Sequence, residues 1–512
     1  MIAFQILDEF LDIEPSSSFT IKSANPMFSD DSIPGMLTYP FTVTNTPKTR
    51  RLLGFPNLVA SENLVGNQVD SICWLGGLVY KVGKIVVRGA NSKKFQLNFQ
   101  SDAGDVQTKV KNSSLRDLLK QEFSFTSVPS AFLNAINTPV YKPYQNSLAP
   151  YTAFPILNED FYQDKNSQFG GYLNYFVNGA FPTNAYTSKH AMVPQFYLLY
   201  VLEMAFQAIG YRMTGSWIQN EEIQQLILYN NYALDRIGSN YNQYLPQITL
   251  KNHVPDTKFG TFLINLQKIF PLGYVFDTVA KQVELVNIPD ILKQSDYVDW
   301  TSKADADWDL TPVEGKGYTL QMNPDSSDEL TKNIKDDWNK FVIGEGEEPI
   351  TTDFSPLEVY KHADLLNTAR QWTTPHIRQK GSSPEFEIGN NASGLHLMWY
   401  RGMRPDGSGN NYPFATYDTI DHAGNTIGNY SLRWTGAKGL YEKWWKPYIE
   451  FRANAKTIDR NVNLNLADIL SLDPRKKIYL DQNLYFLQDL TVTVSQKSGI
   501  KPAKVTLLRT KT

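Results

Sequence analysis

The sequence predicts an α+β fold, mainly β, and three observations carry that prediction. Near the start, Phe95, Leu97 and Phe99 alternate with Gln96, Asn98 and Gln100, the period-two pattern of a half-buried antiparallel strand. At the end, Leu464 to Lys511 returns to strand-like runs, "KIYLDQNLYFLQDLTVTV" and "AKVTLLRTK". Between them, Phe259, Phe262, Leu263, Leu266, Ile269 and Phe270 recur at helical spacing, marking one apolar helix face. The chain begins and ends in sheet, with helical material between.

Residues 18 to 44 hold two short β-type runs, punctuated by Pro26, Pro34, Gly35 and Pro40. From Leu78 to Asp105 a hairpin is predicted, turning at "GANSKK", with Val79, Ile85 and Val87 on one side. In "SSLRDLLKQEF", Leu115, Leu118, Leu119 and Phe123 make a helical stripe, with Ser113 or Ser114 as cap. A loop-rich stretch, about 125 to 190, leads to "VPQFYLLYVLEMAFQAIGYRM". That helix is apolar on nearly every side, so it is buried or in an interface. Gly210 stops it and "YRM" starts a strand.

The next helix is capped by Asp256 or Thr257 and ended by Gly273 in the left-handed conformation. Strands "YVF" and "VELV" follow across "DTVAKQ". Two helix–Gly–strand units thus start at Val193 and Val254, and packing explains their weak similarity as well as duplication does. Residues 301 to 350 are acidic and Gly-containing. Residues 380 to 430 are loop-like, with "RPDGSGNNYP" the most flexible in pattern.

A length of 512 residues predicts three or four domains, and 42% hydrophobic residues suffice for their cores. Aromatics reach 13%, a composition that favours strands and interfaces. The net charge of -3 gives no broad basic surface, which argues against tight general nucleic-acid binding. Cys73 is the only cysteine, so there is no intrachain disulfide and no Cys-rich zinc site. It reads as a small core residue. The start, "MIAFQILDEFLDIEP", is not a secretory signal. The longest apolar stretch, Phe196 to Phe206, is 11 residues and contains Glu203, whereas a membrane span needs about 20. A soluble chain made in a cytoplasm is expected; if it acts outside a cell, it leaves by lysis or assembly.

Chemistry-bearing patterns are weak. The histidines at 190, 253, 362, 376, 396 and 422 are not at zinc-pair spacing; each reads as a surface or satisfied histidine. Asp305, Asp307 and Asp309 alternate as in a calcium loop, but Leu310 stands where Gly is needed and Lys316 where Glu is needed. "DGSGNN", from Asp406, reads as a loop tip. "EGEE", Glu345 to Glu348, offers carboxylates for glycoside hydrolysis, yet adjacent acids in a Gly-containing loop are usually solvated. "YEKWWKPY", Tyr441 to Tyr448, could stack bases or sugars, but reads better as a buried or subunit-facing cluster. No P-loop, Rossmann fingerprint or nucleophile elbow is present. No catalytic, metal or cofactor residue is assigned, and no cofactor is expected.

"ANPMFSDDSIPGMLTYPF", "TPKTRRLLGFPN" and "GGLVYKVGKIVV" resemble the start of tail-tip proteins from phages and prophages of Bacteroidetes-type hosts. The stretch from Val254 to Asn287 resembles the helix-and-hairpin unit of baseplate hub proteins of long-tailed phages. "YPFATYDTI", "SLRWTGAKGLYEKWWK" and "IYLDQNLYFLQDLTVTV" fit the same type. The resemblance is scattered along most of the chain, and its motifs are structural.

What it implies is a structural virion protein, not an enzyme: a trimeric hub at the tail tip or baseplate, assembled in the host cytoplasm. Each chain would carry two tail-tube-like β-barrels, so three chains would continue a sixfold tube around a DNA channel. The implied division is residues 1–125 as first barrel and 126–250 as helical and loop insertion. Residues 251–300 would be a helix-hairpin module, 301–430 second-barrel strands with loop-rich decoration, and 431–512 closing strands. Phe262, Leu263, Leu266 and Phe270 would be structural core, and Gln96, Asn98 and Gln100 candidate channel wall. Implied partners are further copies in a homotrimer, the tail tube or distal tail protein, the tape measure protein, and tail fibres or tip proteins, with transient passage of phage DNA and no membrane span. The rival readings are a tail-tip glycan-binding adhesin and a glycan-cleaving tail enzyme that would use Glu347 and Glu348.

Overall fold

The computed structural model describes residues 1–512 apart from 1, 30–35, 39, 57–67, 102–109, 111, 146–147, 163–168, 183–189, 235–243, 312–316, 333–338, 384–385, 388–393 and 511–512. The middle of the proline-punctuated stretch before residue 40, and Lys316, lie outside the described residues. The fold is α+β and mainly β. It divides into two units. The first comprises Met1–Asn112, Leu272–Lys316 and Pro447–Thr512; the second comprises Ser113–Pro271 and Gly317–Lys446.

The first unit is built on a 15-stranded sheet. From one end its main path runs Glu9–Phe10, Ile2–Ile6, Gln68–Leu75, Leu78–Ala90, Lys94–Ser101, Met36–Thr38 and Ser18–Ala24. It continues through Asn483–Ser495, Ala503–Arg509 and Thr457–Val462 to Ala304–Thr311. The seam between early and late segments is a full antiparallel ladder, from Ser18 opposite Ser495 to Ala24 opposite Asp489. Alternation drives both halves. Ile2, Phe4 and Ile6 point into the same core as Val492, Val494, Val505 and Leu507. Phe4 stacks on Phe41 at 4.9 Å and meets Phe99 at 5.2 Å and Phe19 at 5.6 Å.

The hairpin predicted from Leu78 forms, as Leu78–Ala90 and Lys94–Ser101. Ile85 and Val87 are buried, but Val79 is exposed. The register shifts between Cys73 and Trp74, opposite Lys81 and Val79, so Tyr80 is an extra residue. Such a bulge moves every residue beyond it to the other face. Gly83 is required where it stands: a Cβ there would lie 2.1 Å from the Gln100 carbonyl oxygen.

The predicted second hairpin pairs Leu272–Asp277 with Gln282–Asn287. Asp277 Oδ1 accepts from the amides of Val279 and Ala280 and closes the turn. Gly273 is a strand residue here, not a helix terminator. Its missing side chain matters because a Cβ would stand 2.9 Å from Met27 Cγ. The preceding helix ends at Ile269, with Phe270 already extended and Pro271 after it; a proline disfavours the helical conformation of the residue before it.

The second unit has shorter strands. A six-stranded sheet is centred on Leu226–Leu228 and Leu395–Pro405, a five-stranded one on Ile156–Leu157, and a three-stranded one on Tyr318–Met322. The mostly apolar helix is Leu198–Ala208, buried over most of its surface, and Gly210 follows it at φ 86°. The helix Phe259–Ile269 also lies in this unit, so the helix and the hairpin expected as one module divide between the units.

Two helices differ from expectation, the first in its length and the second in its cap. The stripe at Leu115 forms only the short helix Leu115–Leu118, capped by Ser114, and Phe123 sits in the strand Glu122–Ser124. Neither Asp256 nor Thr257 caps the later helix, whose N-cap is Lys258. Asp256 instead lies 3.7 Å from Arg116, Thr257 accepts from the Leu115 amide, and Phe259 N donates to Ser113 O. A neighbouring chain segment supplies the partners a capping side chain would have offered.

Candidate functional site

Phe262, Leu263, Leu266 and Phe270 are each fully buried. Phe262 meets Phe354 at 5.3 Å, and Phe270 meets Trp217 at 5.7 Å and Trp444 at 5.3 Å. The aromatic run from Tyr441 joins them: Trp445 Nε1 donates to Ile269 O at 3.0 Å. Trp444 and Trp445 are buried, so they are not a platform for bases or sugars.

All six histidines lie in the second unit. His190 Nδ1 accepts from the Tyr175 amide at 3.1 Å, and His253 Nδ1 faces Asn230 Oδ1 at 3.1 Å. Burial lowers both rings to about 3. His362 is bonded to Ala363 O and Thr374, and His422 to Thr373.

His396 belongs to a constellation no sequence motif announced. Its Nδ1 lies 3.0 Å from Ser355 Oγ and its Nε2 lies 3.0 Å from Asp325 Oδ2. The parallel pairing of Phe354–Pro356 with Leu395–Pro405 sets Ser355 directly beside His396. Burial pushes the Asp325 carboxyl up. Bonding to His396, that ring's charge and bonds from Ser327 override it, holding the group well below the usual carboxylate range. These are the residue types of a hydrolase triad. Ser355 is only 6% exposed, so its hydroxyl is not open to a substrate in this conformation. A nucleophile must be within reach of the reacting carbon, and the trio reads as a satisfied core network.

The second buried charge cluster is also structural. Arg370 donates through Nε to Asp406 at 2.7 Å and through Nη1 to Phe176 O at 2.7 Å, with Asp364 at 3.7 Å. Its guanidinium lies 4.1 Å from the Trp372 ring centre. Asp406 was expected at a loop tip; it does open the turn after Pro405, but its carboxylate is buried and holds that turn through the amides of Ser408 and Asn410.

Other weak signals resolve into ordinary structure. Asp305, Asp307 and Asp309 alternate because Ala304–Thr311 is a strand. Glu345 and Glu347 are exposed on a turn held by Gly344 and Gly346 at positive φ, and Glu348 opens the following strand. Among the described residues no group of His, Cys, Asp and Glu could hold a metal ion, and no helix is long and apolar enough to cross a membrane.

The candidate wall residues lie in Lys94–Ser101, a strand of the long sheet of the first unit. Of these, Gln96 is exposed and Gln100 half-buried, while Asn98 is buried opposite Val86.

No protein-family model matches the chain, and no curated protein matches it in sequence. Among solved structures it is similar to the 43 kDa tail protein of prophage MuSo2 from Shewanella oneidensis, with TM-score 0.36 and 7% identity, covering 99% of this chain and 98% of that one. It is similar to the tail protein from Neisseria meningitidis MC58, with TM-score 0.37 and 9% identity over 99% and 95% of the two chains. It is similar also to prophage tail protein gp18 from Listeria monocytogenes EGD-e, with TM-score 0.32 and 10% identity over 99% and 94%.

Proposed function

We propose that this chain is a structural virion protein of a phage or prophage tail, a trimeric hub at the tail tip or baseplate. The observation that carries the reading is the sheet joining strands from both ends of the chain over one core. In the proposed assembly the early and late strand sets act as two wall segments per chain. Three chains then present six, which fits a sixfold tube to a threefold tip. The sequence resemblance points the same way, and the buried polar groups of the second unit act as packing.

In this reading the chain meets a tail tube or distal tail protein on one side and tip proteins or fibres on the other, and phage DNA passes along a wall that includes Gln96 and Gln100. A passive wall does not grip phosphates, since each fixed cation would hold the backbone by a salt-dependent contact. Cryo-electron microscopy of the intact particle tests the assembly. Three copies around the tail axis are expected; one copy, or six equivalent copies, would sink the hub. Filter binding at about 0.15 M salt tests the wall; sub-micromolar affinity for random double-stranded DNA would point to a nucleic-acid-binding role instead.

A further inference from the structure

We infer that the strand Ala304–Thr311 is a docking edge for a second copy of this chain, received by the basic hairpin turn that carries Arg88, Lys93 and Lys94. The inference rests on the proposed oligomeric role and names the surface that builds it. This strand ends the main path of the sheet and, among the described residues, pairs only with Thr457–Val462. Its other edge therefore presents unpaired backbone groups, a template for strand addition.

Its side chains are unusual for a free edge. Trp308 sits opposite Arg460 and Leu310 opposite Ile458, on the face where Ile458 and Val462 are buried. Elsewhere that face is covered by core, yet here Trp308 is 51% and Leu310 41% exposed. A bare indole and leucine on a core-side face mark an interface.

The acids that alternate with them choose the partner. Asp307 and Asp309 are exposed, and among the described residues neither has an ion-pair partner. If two copies paired this strand antiparallel about Asp307, Asp305 would face Asp309 and Asp307 would face its own copy. Opposed like charges are destabilising, so a self-complementary twofold contact is disfavoured. A head-to-tail contact with a different, basic surface has no such penalty, and head-to-tail contacts close into rings when the rotation allows. The first unit carries such a surface. Arg88, Lys93 and Lys94 are exposed at the turn of the Leu78–Ala90 and Lys94–Ser101 hairpin, and none of their side chains has an acidic partner among the described residues.

Analytical ultracentrifugation of the full chain up to about 100 μM tests this. Asp307→Lys with Asp309→Lys, and separately Lys93→Asp with Lys94→Asp, should each weaken self-association at least about tenfold, since like charges brought together cost several kcal/mol. Combining the four changes in one chain should restore it. Trp308→Asp should abolish it. An unchanged thermal midpoint in each variant shows that the fold is intact. Self-association unaffected by both charge-reversal pairs and by Trp308→Asp overturns the inference, as does a wild-type chain that stays monomeric. Neither result touches the copy number seen in particles, so the hub reading fails or stands separately.

Discussion

The two units solve the same problem, satisfying buried backbone, in opposite ways. The first does it with long ladders: thirteen-residue strands such as Leu78–Ala90 and Asn483–Ser495 pair along most of their length, interrupted by single register shifts, and bury largely alternate apolar side chains. The second includes many strands of only two or three residues, such as Ile156–Leu157, Tyr172–Leu173, His190–Ala191 and Gln195–Tyr197, and beside them side-chain amides stand in for missing strands. Asn174 donates to Val193 O and accepts from Val193 N, both at 2.8 Å. Asn158 makes the same reciprocal pair with Gln379, and Gln195 with the backbone of Asn230. In each pair the amide donates one N–H and accepts at its oxygen, as a peptide group does in a ladder. The Asn-rich loops are thus a polar core, and irregular backbone is bearable inside a protein only on such terms.

The contrast is sharpest under acid. The first unit contains no histidine, whereas burial holds His190 and His253 at about 3 and His376 at about 4 in the second. An unfolded chain takes up these protons near the ordinary value of about 6.5. Stability present above that pH is therefore lost as pH falls towards 3. Hydrogen exchange read by segment at pH 7 and pH 4 should show the second unit losing protection first. Earlier loss in the long sheet would contradict the comparison.

The next largest effect is at Arg370. Arg370→Met leaves Asp364 and Asp406 buried without their cation and should cost about 3–5 kcal/mol by chemical denaturation. Core truncations should be comparable in both units. Phe4→Ala is expected to cost about 3–5 kcal/mol, and Phe262→Ala or Leu266→Ala about 2–5 kcal/mol. A loss below about 0.5 kcal/mol at Phe262 and Leu266 would mean that the helix stripe is not a core face. Gly83→Ala sharpens the ladder side of the contrast. Its new methyl meets backbone rather than a yielding side chain, and about 1–3 kcal/mol is expected. The smallest effect belongs to Glu347→Gln on its exposed turn, within about 0.5 kcal/mol. Release of reducing sugar that vanished with Glu347→Gln and Glu348→Gln would revive the glycan-cleaving reading.

Sequence legibility follows the same division. Strand alternation at Phe95 to Gln100 and the helix at Phe259 to Ile269 are local signals, because each residue's face depends only on its neighbours in the chain. The extended stripe from Leu115 to Phe123 misled, since packing of Glu122–Ser124 against Gln247–Thr249 drew Phe123 into a strand. The Ser355, His396 and Asp325 network left no trace, because its members meet only through strand register.

By itself the sequence determined the mainly β class, the central hairpins, the buried helices and the lack of any strong catalytic motif. Periodicity and turn chemistry are encoded residue by residue. The tertiary structure alone decided that the first and last strands share one sheet, that the helix and hairpin part company, and that Trp308 and Leu310 end on an open edge. Those outcomes depend on which strands pair across hundreds of residues, and long-range pairing is selected by collective burial rather than by any local pattern.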